Sequence, residues 1–354
     1  MQRRMFLKVM GGATGACALS ADRILADETP QAKTPPATSS GLPRRELGRT
    51  GQQVSVVGFP GLALIHHDQA QCTAGLHKAF DRDVNYFDVA PAYGNTDAET
   101  KMGIGLQGLD RSRYFLACKT KMRDKDGARQ ELERSLKLLK TDYFDLYQMH
   151  HLVKPEDVKK ALGPGGAIET FLKAKEEGKV KYLGFSAHTT KAALEALKGF
   201  KFDTVMFPIN FVEFYLRNFG KEVLEEANAQ GAGVLAIKVM SRGAWPKGVD
   251  RTRQWWYRAT EDDLEVLLSW RFSLSQPGVA AGFSPSFFDL LDKGIKAAQA
   301  YHPPTEAELE ELQRIVKTTE SIFLREEQQV ALGLPFDAPL FPDCPHECGG
   351  GYWA

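Results

Sequence analysis

Eight short runs rich in β-branched and aromatic residues constrain this chain more than any other feature. They fall at 54–59, 86–90, 114–119, 145–150, 182–186, 204–209, 233–239 and 278–283, each bounded by turn residues. Between most of them lies an amphipathic helical pattern. Leu132, Leu136 and Leu139 share one face, as do Ile168, Phe171 and Leu172, and later Leu264, Leu267 and Leu268. Gly178 and Gly231 stand where a glycine ends a helix, and Thr305 with Glu308 forms a capping box ahead of Leu309, Leu312 and Val316. The segment around Met102 is the weakest helix, because it contains Gly103 and Gly105. Eight strand–helix units over about 250 residues predict an α/β fold closed as a (β/α)8 TIM barrel. A doubly wound open sheet is the competitor, but its Gly-x-Gly-x-x-Gly fingerprint does not follow the first strand.

The ends of the chain lie outside this repeat. Residues 1–26 carry Arg3-Arg4-Met5-Phe6-Leu7-Lys8, a weakly apolar run from Val9 to Leu19, and Ile24-Leu25-Ala26 as a cleavage site. That pattern resembles a twin-arginine export signal, so the export machinery is an expected partner and the periplasm the expected compartment. Residues 27–43 hold four prolines with Ser and Thr and read as a linker. The barrel is expected over 44–330, followed by a tail over 331–354. Cys344-Pro345-His346-Glu347-Cys348 in the tail falls short of a four-cysteine cluster. It suits zinc with an outside ligand, a disulfide, or a plain polar tail.

Composition removes several function classes. Lys+Arg and Asp+Glu both number 45, so the formal net charge is zero and no electrostatic footprint for nucleic acid exists. No run reaches the ~18 uncharged apolar residues of a spanning helix. Five cysteines, at 17, 72, 118, 344 and 348, do not build a disulfide scaffold.

In a (β/α)8 barrel the chemistry sits at the C-terminal strand ends. Asp88 ends the second strand and Tyr93 follows in its loop; Lys119 ends the third and His150 the fourth. Each alone has a structural explanation: a cap, a packing aromatic, an ion-pair partner, a satisfied core histidine. Together at consecutive strand ends they form a candidate catalytic group.

Phe87-Asp88-Val89-Ala90-Pro91-Ala92-Tyr93-Gly94, with Glu99 following, closely resembles the aldo/keto reductase signature. Phe115–Lys119 and Asp142–His150 resemble that family's lysine and histidine strands, Arg45–Gly51 with Val54-Ser55 its N-terminal hairpin, and Gly184-Phe185-Ser186 its nicotinamide-contacting strand. The resemblance covers residues 42 to 300. It implies reduction of a small carbonyl substrate by hydride from NADP, with NAD possible. Tyr93 is then the general acid, its pKa lowered by Lys119, which Asp88 orients; His150 holds the carbonyl. Lys121 is the rival for the lysine role. Ser186 and Asn210 would hold the carboxamide, and Tyr215 would stack on the ring or pack as an ordinary aromatic. Backbone of Met240, Ser241 and Gly243 would take the pyrophosphate, with Gly282 and Ser284 beyond the eighth strand completing the cofactor site. No metal is implied in the site.

Two departures accompany the resemblance. Ala187 stands where members often carry Asn, with His188 next. No cation follows the eighth strand until Lys293, where NADP-dependent members clamp the 2′-phosphate. Trp255-Trp256-Tyr257 line the substrate mouth or pack a long loop. Two other function classes stay open: a cofactor-bound regulatory subunit with little turnover, and a Schiff-base aldolase using Lys119.

Overall fold

The computed structural model describes residues 41–334. The expectations for residues 1–26, for the linker up to residue 40, and for the tail beyond residue 334 lie outside the described residues. Eight parallel strands close into a barrel. They are β3 (Val57–Pro60), β4 (Tyr86–Asp88), β5 (Phe115–Thr120), β6 (Phe144–Leu152), β7 (Val180–Ala187), β8 (Thr204–Pro208), β9 (Gly233–Ile237) and β10 (Val279–Phe283), and β10 returns to pair with β3. Each expected run contributes one barrel strand, and helices flank the barrel. The fold is the (β/α)8 TIM barrel.

The first run divides. Residues 53–55 leave the barrel to form β2 (Gln53–Ser55), antiparallel to β1 (Arg44–Glu46). The hairpin brings Leu47 and Val54 against Tyr86, Phe115, Leu146 and Leu235 inside the barrel. Those side chains fill the barrel's interior and close its lower end, leaving the upper end as the place where polar groups can collect.

The helices follow the expected stripes with two exceptions. Leu172 is 44% exposed and Leu264 is 59% exposed. In each case its neighbours on the stripe, Phe171 and Leu268, take the core position, so the apolar face is one residue narrower than the periodicity implies. The glycine-containing segment does form a helix, Asp97–Gly105. Gly103 is required there, because a Cβ would lie 2.1 Å from the Leu138 carbonyl oxygen. Gly178 (φ 74°) and Gly231 (φ 70°) take the left-handed conformation just past their helices. The Thr305–Glu308 capping box is present. No helix among the described residues is long and apolar enough to cross a membrane.

That glycine-containing helix also carries Glu99, fully buried behind β5, where its carboxylate accepts a bond from Cys118 Sγ at 3.5 Å. Burial pushes the Glu99 carboxyl up to about 7. Its folded value exceeds its unfolded value, so the neutral form is the one the fold prefers. The stability it confers is full below about pH 4.5 and is lost as pH rises through about 7. Buried His150 and His151 slope the other way: burial holds both imidazoles neutral, so stability falls as pH drops below the ordinary histidine range. Glu99→Gln isolates the carboxyl. Urea unfolding should show the variant gaining on the wild type from pH 5 to pH 8 by up to about 3 kcal/mol. A constant difference across that range would mean that Glu99 is ionised at both ends.

Candidate active site

The upper ends of β4, β5 and β6 bring Asp88, Lys119 and His150 to one mouth, with Tyr93 in the loop after β4. Strand alternation explains the selection on β5: Cys118 faces outward to Glu99, so Lys119 must face in. Its side chain is fully buried, and its ammonium donates to the Asp88 carboxylate, to Tyr93 Oη at 3.1 Å and to the Val89 carbonyl at 3.3 Å. Asp88 holds the lysine pKa above its ordinary value despite burial. Burial in turn pushes the Asp88 carboxyl up while Lys119 pulls it back.

Tyr93 departs from expectation. Burial raises its phenol to about 12, and the attraction of Lys119 only partly offsets that rise. The expected lowering holds as a contribution from Lys119 but is outweighed by desolvation. The group is therefore a phenol held firmly protonated beside a fixed ammonium.

His150 owes its position to an irregularity in the sheet. Met149 pairs with Phe185 and Leu152 with Ala187, so His150 and His151 together face the single residue Ser186. His151 takes a left-handed conformation (φ 58°), and its N–H donates to Ser186 Oγ at 2.8 Å. Arg123 clasps the same bulge, donating to the His150 and His151 carbonyls at 2.7 and 3.1 Å. Such bulges re-aim side chains beside active sites. Here the result is a His150 ring edge-on to Tyr93, with centroids 5.6 Å apart. Burial, then Lys119, keeps the imidazole neutral.

The remaining expected residues divide. Ser186 and Ser284 line the mouth. Asn210 is buried at the start of the helix Phe211–Arg217, where Oδ1 accepts from the Glu213 N–H. Tyr215 does not reach the mouth: it faces outward and packs on Phe272 at 5.4 Å, so the packing alternative is the arrangement found. Gly282 is enclosed by Trp270 and Val239 rather than exposed to a ligand. The 240–243 loop is likewise committed. Met240 accepts from the Thr260 N–H, the Arg242 N–H donates to Arg258, and the Gly243 N–H is taken by Ser241 Oγ. Of the N–H groups expected to face a pyrophosphate, that of Ser241 goes to the Lys238 carbonyl and that of Gly243 to Ser241 Oγ, while the fold back onto 258–260 engages the Met240 and Gly243 carbonyls and the Arg242 N–H. Arg242 is bound to Glu265 and Thr319.

Sequence reasoning missed Lys238, which follows β9 in a left-handed conformation (φ 62°) and lines the mouth, and Ser286 on the same rim. No periodicity marks a lysine that owes its direction to a positive φ. His188, read only as a departure, lines the mouth too, and Trp255, Trp256 and Tyr257 form one wall.

Comparison with known proteins supplies the family. The chain is 27% identical to the L-galactose dehydrogenase of Arabidopsis thaliana over 215 residues, 56% of this chain and 66% of that protein. It thus spans slightly under two thirds of the length of the curated relatives it matches. An aldo-keto reductase of Bacillus halodurans, AKR11C1 in its holo form, superposes with a TM-score of 0.62 at 24% identity, covering 77% of this chain and 96% of that one. An aldo-keto reductase of Klebsiella pneumoniae in complex with NADPH does so with a TM-score of 0.60 at 20% identity, covering 78% and 95%. These two likenesses speak for the fold. Residues 63–321 match the Aldo/keto reductase family, and with Asp88, Tyr93, Lys119 and His150 gathered at the barrel mouth, this chain belongs to that family.

Proposed function

We propose that the protein is an oxidoreductase that reduces aldehydes or ketones with a nicotinamide cofactor, Tyr93 acting as general acid. The observation that carries this reading is the Tyr93 hydroxyl 3.1 Å from a Lys119 ammonium that is itself paired with Asp88. A carbonyl oxygen acquiring negative charge needs a proton and a positive surrounding, and this group offers both. Tyr93 gives up the proton; Lys119 stabilises the phenolate left behind; Asp88 keeps Lys119 charged and pointed. Neutral His150 offers an N–H to the same oxygen and sets its direction.

The residues present fit the nicotinamide end of a cofactor. Asn210 Nδ2 and Ser284 Oγ are buried polar atoms with no hydrogen-bond partner among the described residues, and such groups call for one from outside. Asn210, Ser284 and Ser186 would hold the carboxamide. When bound, a reduced nicotinamide supplies the hydride that adds to the carbonyl carbon. The described loop after β10 fits a 2′-phosphate poorly. Lys293 is bound to the Asp263 carboxylate and the Glu261 carbonyl, and Arg253 is paired with Glu261 and Asp289.

The aldolase alternative requires a neutral, nucleophilic Lys119. The Asp88 pairing works against it by favouring the ammonium.

Arg3-Arg4 supports a further part of the reading: export through the twin-arginine pathway, which carries folded proteins and would deliver a barrel with its cofactor already bound.

Three outcomes are expected. Tyr93→Phe should cut carbonyl reduction by ~10²–10⁴-fold while cofactor affinity, followed by nicotinamide fluorescence, stays near wild type. Full activity in that variant would remove Tyr93 from the mechanism. Titrating NADPH and NADH in parallel should give affinities within about tenfold of each other. A thousandfold preference for NADPH would mean that a cation such as Lys293, Lys296 or Arg242 leaves its place to meet the phosphate. Replacing Arg3 and Arg4 together by Lys should retain the protein in the cytoplasm, folded and active, whereas the wild type is recovered outside the inner membrane lacking about its first 26 residues. Uncleaved wild type in the cytoplasmic fraction would refute export alone.

A further inference from the structure

Below the mouth, the barrel interior holds polar groups that the reaction described above does not use. Leu146 packs in the interior and His150 lines the mouth, so strand alternation on β6 turns Gln148, between them, inward as well. Gln148 is fully buried, and its register partner on β5 is Lys119. On its other side it pairs with Gly184, which in turn pairs with Thr204. The Thr204 hydroxyl fills the space that a side chain on Gly184 would need: a Cβ there would lie 2.2 Å from Thr204 Oγ1. Asp88 pairs with the small Ala117 and still reaches Lys119, two residues further along β5.

Three members of this row carry polar atoms that meet nothing among the described residues. They are Asp88 Oδ1, both ends of the Gln148 amide, and Thr204 Oγ1. Buried groups are seldom left so, and these three permit one complete matching. An ionised carboxylate only accepts, so it takes the amide nitrogen. The amide oxygen then takes the Thr204 hydroxyl. The Asp88 carboxyl already feels this neighbour: burial raises it, and Lys119 and then the Gln148 amide draw it back.

We propose that Gln148 is a positioning residue for the proton-donating group, its Nε2 donating to Asp88 Oδ1 while Thr204 holds its Oε1. With that oxygen engaged, Asp88 stays ionised and its other oxygen stays on Lys119, which keeps the ammonium in place beside Tyr93. Gln148 is not among the described residues that line the mouth, so it acts through Asp88. The effect on turnover rests on the reductase reading; the effect on the carboxyl needs no turnover. The other titratable groups acting on Asp88 are Lys119 from β5, Tyr93 from the loop after β4, and Tyr86 on its own strand. Tyr86 Oη, also without a partner among the described residues, is the competitor for Oδ1, but its ring is committed to Phe115 and Phe283 at 5.1 and 5.4 Å.

The test follows the Asp88 carboxyl by carbon NMR in the full chain, isotopically labelled at its aspartates. The Asp88 signal is the one missing from Asp88→Asn. Gln148→Leu, close in volume but without a donor, should raise the titration midpoint of that signal by at least about one pH unit, a tenfold change in proton affinity. Tyr86→Phe should move it by less than about a third of that. An unchanged midpoint in Gln148→Leu overturns the proposal. So does a rise in Tyr86→Phe alone, which would give Oδ1 to the tyrosine. In single turnovers of benzaldehyde with NADPH, Gln148→Leu should slow reduction by about tenfold, with benzaldehyde affinity within about twofold. At about pH 5.5 the new carboxyl of Gln148→Glu is protonated beside Asp88 and can donate, so this variant should be at least about threefold faster than Gln148→Leu. A Glu variant no faster than the Leu variant overturns the donor role. If the midpoint rises as expected but the wild type reduces no carbonyl compound, the positioning of Asp88 stands and the reductase reading falls. If the wild type reduces benzaldehyde but the midpoint does not move, the positioning role falls and the reductase reading stands.

Discussion

A lysine with no exposed surface, Lys119, occupies the barrel mouth, and its pairing with Asp88 is the interaction on which the site depends. Burying an ammonium is unfavourable unless a partner and further hydrogen bonds replace its water, and removing one partner of such a pair costs about 3–5 kcal/mol. Asp88, the Tyr93 hydroxyl and the Val89 carbonyl fill that need here. The arrangement fixes three things together. Lys119 stays charged, Tyr93 is held at a set distance from it, and the end of β4 is joined to the end of β5. The site and the local fold share one set of bonds.

The same economy extends to β6 and β7. A two-against-one bulge turns His150 toward Tyr93, and Ser186 and Arg123 hold the bulge through its backbone. Ser186, expected as a cofactor contact, thus also acts as a support for His150. Arg123 acts through backbone alone, securing the carbonyls of both histidines. Positioning of this sort explains why a mouth built from flexible side chains can present them in one arrangement.

Much of this was legible in the sequence, and the reasons differ by element. The strands β5 to β10 were readable because fully buried parallel strands are continuous apolar runs with sharp turn boundaries. Asp88, Lys119 and His150 were readable because a barrel sends its strand ends to one face. The run at 54–59 hid a division, since a hairpin strand and a barrel strand share the same composition. How the loop over 240–243 is held was not readable, because nothing in a loop's sequence says that Arg242 will donate to Arg258 or the Ser241 N–H to Lys238. Tyr215 and Gly282 were assigned by position alone, whereas packing on Phe272 and Trp270 decides where they point. The direction of the Tyr93 shift was misjudged for a similar reason: a neighbouring lysine is visible in sequence, but the burial that outweighs it is not.

In the proposed reaction this mouth delivers a proton to a carbonyl oxygen as hydride reaches the carbon. The most direct measurement is mass spectrometry of the alcohol formed by the full chain from an aldehyde and NADPH carrying deuterium at both C4 positions of the nicotinamide ring. One deuterium is expected on the former carbonyl carbon, with the hydroxyl hydrogen drawn from solvent. An alcohol carrying no deuterium on carbon, or label lost to water, would contradict it.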